Sequence, residues 1–156
     1  MNKQPKAIVV QPGQGKDLHL FGDVVSVMIP GEQAEGRLTV MFNTTPPGGG
    51  PPPHIHANED ELFLVVEGRI RYFADGQWTE VGPGAAIHVP RGTVHYFRNV
   101  GTTPSRYWVI ATPSGLERFF ARCAEEFANL GGPDMNRIVE ISREHGLEFV
   151  EHKDSA

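Results

Sequence analysis

Apolar and polar positions alternate in short bursts through the middle of this chain. Glu61–Val66, Arg69–Phe73, Trp78–Val81, Ala86–Val89, Val94–Asn99 and Arg106–Ile110 each read as a strand. Between them stand Gly68, Asp75-Gly76, Gly82-Pro83-Gly84, Pro90-Arg91-Gly92 and Gly101-Thr102, residues that supply the backbone angles tight turns require. Upstream, Val24–Ile29 and Leu38–Phe42 are β-rich runs split by Pro30-Gly31, and residues 7–10 offer one more strand candidate. Strands and turns at this cadence predict a sandwich or barrel.

Two segments break the pattern. Residues 46–53 are eight consecutive Pro or Gly, which excludes a helix or a central strand and predicts a stiff loop that aims the histidine-bearing segment after it. From Ser114 the period changes. Leu116, Phe119, Phe120, Cys123, Ala124, Phe127 and Leu130 recur at helical spacing, with Ser114 and Glu117 set as a capping box and Gly131-Gly132 as the stop. A second helix is predicted from about Asp134 to His145, ending at Gly146. Both helices are expected to lay their apolar faces on the open side of the β-structure, with Cys123 as a core thiol. The expected organisation is therefore one domain, with a β-barrel over 1–112 and a helical extension over 113–156.

Composition adds limits. The chain has 156 residues, with 18 Gly and 13 Pro that fit a turn-rich β fold. A formal charge of −5 argues against a nucleic-acid backbone or an anionic membrane as partner. One cysteine cannot form an intramolecular disulfide. The apolar run at 7–10 is too short for a signal-peptide core, and no stretch approaches the roughly 18 apolar residues of a membrane span. The expectation is a soluble cytoplasmic protein.

The chemistry concentrates in Pro53-His54-Ile55-His56-Ala57-Asn58-Glu59-Asp60-Glu61. On an extended strand His54 and His56 project to one face. A turn at residues 58–60 would put Glu61 on the neighbouring strand, pointing back inward, with Phe63 and Val65 next on the same face. His95, beyond the Pro90-Arg91-Gly92 turn, would share a face with Phe97 and Asn99. Three imidazoles and a carboxylate suit Fe, Mn, Co, Ni, Cu or Zn and poorly suit Ca or Mg. Four such ligands leave a position open for water or substrate.

These residues resemble the cupins. The pattern G-x5-H-x-H-x4-E-x6-G is met by Gly48, His54, His56, Glu61 and Gly68, and G-x5-P-x-G-x2-H-x3-N by Gly84, Pro90, Gly92, His95 and Asn99. The resemblance implies a mainly β fold, a cupin-type antiparallel β-barrel or small jelly roll with the two C-terminal helices packed outside. It also implies one divalent transition metal held by His54, His56, Glu61 and His95. Over about residues 22–120 the chain is similar to quercetin 2,3-dioxygenase-like cupins. That likeness implies an oxygenase that opens a flavonol or similar enolisable aromatic compound with O2, with Glu61 as both ligand and general base, Phe63 and Phe97 lining the substrate pocket, and a homodimer. Two other readings share the same ligands: a non-oxidative cupin enzyme of isomerase type, and a non-enzymatic module that binds metal and a small ligand.

The remaining candidates are expected to be structural. His88 reads as packed or outward-facing, His19 as a surface residue at a strand edge, His145 as a last-turn residue favoured by the helix dipole, and His152 as part of a polar tail. Trp78, Tyr107 and Trp108 are expected to pack the barrel or a dimer interface. Arg91 is expected at the barrel mouth in a surface role, and Glu59 and Asp60 as solvated acids.

Overall fold

The computed structural model describes residues 6–152. Eleven strands and two helices run in the order β1 (Lys16–Leu20), β2 (Asp23–Ile29), β3 (Thr39–Thr45), β4 (His54–His56), β5 (Asp60–Glu67), β6 (Ile70–Ala74), β7 (Gln77–Val81), β8 (Ala86–Val89), β9 (His95–Asn99), β10 (Ser105–Thr112), α1 (Leu116–Phe127), α2 (Met135–Glu144) and β11 (Leu147–Phe149). They form two antiparallel sheets, β1-β2-β3-β10-β5-β8 and β11-β4-β9-β6-β7. The sheets face each other as a jelly roll. Strand alternation sends Met41, Phe63, Val65, Tyr107 and Val109 of the larger sheet, and Ile70, Tyr72 and Phe97 of the smaller, into one core.

Most expected strands are present, with four departures. Residues 7–10 are not a strand, and the first strand is β1 instead. Only Leu18 and Leu20 of β1 are buried, so its apolar signal is two residues wide. At the C-terminus, β11 is three residues long and pairs Leu147 with His56 and Phe149 with His54. Helix α1 stops at Phe127, leaving Leu130 fully exposed. The Ser114 side chain does not cap α1. Glu117 anchors the helix start instead, its carboxylate accepting from Gly31 N (2.9 Å), Gly115 N (2.9 Å) and the Thr39 hydroxyl (2.5 Å). That carboxylate ties α1 to the large sheet. At α2, Asp134 accepts from Asn136 N and Arg137 N as an N-cap should.

The helices cover the barrel's open side, α1 against β1 and α2 against β11. Cys123 is fully buried among their apolar faces. No helix among the described residues is long and apolar enough to cross a membrane.

Gly68 marks a tight turn of the barrel, between β5 and β6. Its φ is +93°, and a Cβ there would lie 2.7 Å from Ser105 Cα. Both the backbone conformation and the space exclude a side chain. Gly68→Ala is therefore expected to destabilise the fold by at least about 2 kcal/mol, read from the midpoint of urea unfolding.

Candidate metal centre

The Pro/Gly segment arrives at β4 already held to β9. Gly48 N donates to Asn99 O, and Asn99 N donates to Gly49 O, each at 2.9 Å. A Cβ on Gly50 would fall 2.0 Å from Phe97 O, so glycine permits this approach. Asn99 completes the frame: its amide donates to the Thr45 and Thr103 carbonyls, and its Oδ1 accepts from Gly101 N. At the far end of β4, Gly92 N donates to His56 O at 2.8 Å. That bond pins the turn that launches β9 directly to a histidine-bearing strand.

His54 and His95 are direct partners across β4 and β9, and Glu61 reaches in from the facing sheet. One ligand atom from each of His54, His56, Glu61 and His95 lies within 4.8 Å of the others, and all four residues are buried. The sequence-expected set is thus brought together in full, and it could hold a metal ion. Asp60 and Arg91 stay outside it. They form an ion pair at 2.9 Å on the surface, where Arg91 N also donates to the same carboxylate. His19 and His88 are exposed. His145 donates from Nδ1 to Ile141 O, and His152 packs on Phe73 at 4.5 Å.

The outer nitrogens of two imidazoles are already committed. His54 Nδ1 donates to Pro52 O at 2.8 Å, and His95 Nδ1 donates to Thr93 O at 2.9 Å. His56 Nδ1 lies 3.6 Å from Glu59 Oε2. A carbonyl can only accept, so in the neutral tautomer each His54 and His95 Nε2 carries a bare lone pair. Yet His95 Nε2 lies 2.8 Å, and His56 Nε2 3.3 Å, from one oxygen of Glu61. Lone pairs directed at a carboxylate oxygen repel unless a proton or a cation stands between them. The donor set therefore fits a cation held by three nitrogens and one oxygen, with backbone carbonyls behind His54 and His95 fixing those two tautomers.

The electrostatics agree with that division. Burial, with His95 and His56 alongside, presses the His54 pKa down to about 3, leaving a neutral imidazole. Burial would push the Glu61 carboxyl up, but the His56, His95 and His54 imidazoles outweigh it and hold the group ionised, at about 2. Burial pulls His56 down too, and there the Glu61 and Glu59 carboxylates prevail and raise it.

Glu59 corrects the sequence reading. It is not solvated but buried behind His56, under Gly115 of the helix start. Its position three residues past His56, inside a turn, is the only sequence trace of that role.

The four side chains open on a cavity of about 80 Å³. Phe63 and Phe97 line it, joined by Val25, Val109, Leu147, Phe119, Phe120 and Phe149. Phe119, Phe120 and Phe149 belong to the C-terminal segment, so their part in the cavity depends on how α1 and β11 dock. Asp23, Asn43 and Tyr107 also line it, and sequence reasoning gave none of them a role in the site.

Residues 41–111 match the family model described as Cupin domain. The chain carries a cupin domain. Among curated proteins, this cupin is 28% identical over 120 residues to quercetin 2,3-dioxygenase of Bacillus subtilis (strain 168); the match covers 76% of this chain and 35% of that protein. The cupin thus spans about a third of that relative's length. Among solved structures it superposes on the polyketide cyclase RemF of Streptomyces resistomycificus with a TM-score of 0.60 at 27% identity, covering 70% of this chain and 81% of that one. It superposes on KdgF from Halomonas sp. with a TM-score of 0.62 at 17% identity, covering 70% and 97%, a likeness of fold.

Glu59 is a buried carboxylate 3.6 Å from the outer nitrogen of His56. Glu59→Ala is expected to leave the fold intact and to weaken uptake of an added divalent transition metal by about 10- to 100-fold. Competition with a chromophoric chelator measures this, and unchanged affinity would show that Glu59 does not orient the ligand.

Proposed function

We propose that this cupin binds one divalent transition metal through His54, His56, Glu61 and His95 and opens a small enolisable aromatic compound with O2, as a quercetinase-type oxygenase. The observation that carries the reading is the directed donor set: two imidazole nitrogens aimed at one buried carboxylate oxygen beside an aromatic-walled cavity. The similarity to a quercetin 2,3-dioxygenase supports the choice of substrate class.

The cavity's titratable groups favour an oxygenase over an isomerase. An isomerase moves a proton between two sites and needs an acid and a base placed around the reacting carbon. Next to the four ligands the lining is apolar, and the only other titratable side chains in it are Asp23 and Tyr107. Register puts Tyr107 opposite Val65 and Ala111 opposite Glu61, four residues apart on β10, or roughly 13 Å along the strand. Among the residues that line the cavity, Glu61 is the carboxylate at the ligand end.

When bound, the metal would acidify a coordinated enol hydroxyl. Glu61 would accept that proton on its carboxylate, within reach because it is a ligand itself. Phe63 and Phe97 would press the ring into one plane and exclude water.

Elemental mass spectrometry of the purified chain is expected to find close to one equivalent of transition metal, and His54→Ala and His95→Ala are each expected to lose it. Full metal retention by both variants would refute the ligand set. The metal-loaded chain is expected to consume O2 with a flavonol, and Glu61→Gln to slow turnover by at least about 100-fold. Turnover without O2 would instead point to a non-oxidative cupin enzyme, and ligand binding with no turnover at any metal to a binding module.

A further inference from the structure

Two oxygen acceptors in the cavity wall are buried without a partner: Asp23 Oδ1, at the start of β2, and Asn43 Oδ1, on β3. Neither belongs to the histidine–glutamate cluster. Asn43 pairs across the sheet with both Val25 and Tyr107, which sets these side chains together on the inner face, on the far side of Phe63 and Val109 from Glu61.

The local donors are already spent. Thr45 Oγ1 donates to Asp23 Oδ2 at 2.9 Å, so its single hydrogen is used. Tyr107 OH, 2.8 Å from the same Oγ1, must then be the donor in that pair. Asn43 also bonds the Tyr107 hydroxyl, and with that hydroxyl's hydrogen given to Thr45 the Asn43 amide nitrogen is the donor. A directed chain, Tyr107 to Thr45 to Asp23, leaves no hydroxyl hydrogen for the second oxygen of Asp23 or for Asn43 Oδ1. Burial of the carboxylate pushes Asp23 up to about 6, partly offset by the Thr45 bond. Buried acceptors without donors cost stability, and such costs persist where a ligand removes them.

We propose that Asp23 and Asn43, braced by Thr45 and Tyr107, form a second subsite that accepts a hydrogen bond from a hydroxyl group of the substrate. The substrate class is thereby narrowed to a small aromatic body with a chelating oxygen at one end and a hydroxyl at the other. Only that narrowing rests on the proposed oxygenase function; the subsite itself does not.

Phenol and benzene test the subsite, because they differ by the hydroxyl alone and neither carries a chelating pair. Calorimetric titration of the full chain, as purified and after chelator treatment, is expected to show phenol binding at least about tenfold tighter than benzene in both forms. In NMR spectra, phenol but not benzene is expected to shift the Asn43 side-chain amide. Asp23→Ala and Asn43→Leu, on different strands, are each expected to erase the preference while remaining folded. Equal affinities, an unmoved Asn43 amide, or a preference that survives in a folded variant would each overturn the subsite. Should a variant unfold, the wild-type titration and amide shift decide. Phenol selection with no flavonol turnover would refute the oxygenase reading and leave the subsite standing.

Discussion

Three buried imidazole rings and one buried carboxylate converge on one point, and with no proton or cation between them the His95 lone pair would face a carboxylate oxygen. Nε2 of His95 and of His56 both face the same Glu61 oxygen, while the outer nitrogens of His54 and His95 are tied to backbone carbonyls. A cluster of this kind could hold a cation at its centre. Much of the surrounding structure holds the rings in that relation. The Pro/Gly loop is hydrogen-bonded to β9, the turn before His95 is bonded to His56 O, and Asn99 locks the base of the same strand.

The cavity arises from the same constraint. Because the ligands project from β4, β5 and β9 into the space between two sheets, the side chains next along those strands, Phe63 and Phe97, become the walls of whatever binds there. The far wall comes from β2, β3 and β10, where Asp23, Asn43 and Tyr107 form a polar group within an otherwise apolar lining, backed by Thr45. A ligand filling the space would meet nitrogen and carboxylate donors at one end, aromatic faces along its length and hydrogen-bond acceptors at the other.

The C-terminal segment is more than a cover. Helix α1 contributes Phe119 and Phe120 to the cavity, and β11 adds Leu147 and Phe149 while pairing with the strand that carries His54 and His56. Glu117 binds the start of α1 to the backbone at Gly31 and to Thr39 of the large sheet. Displacing this segment would therefore disturb both the cavity and the backbone that orients two of the ligands.

The sequence by itself determined the strand cadence and the two helices, and its resemblance to the cupins singled out His54, His56, Glu61 and His95. Period-2 alternation, turn chemistry and the His54–His56 spacing are local properties, readable wherever neighbours in sequence are neighbours in space; His95 was matched by motif. Tertiary structure alone decided the rest. Strand β11 is too short to signal itself and exists because β4 offers an edge; Leu130 has helical spacing but lies past the point where packing ends. Glu59 looks like a surface acid until the turn buries it behind His56. Asp23, Asn43, Thr45 and Tyr107 are unremarkable in three separate segments, and only the register of β2, β3 and β10 makes them one site. Long-range register depends on how whole sheets pair, and no local pattern of residues encodes it.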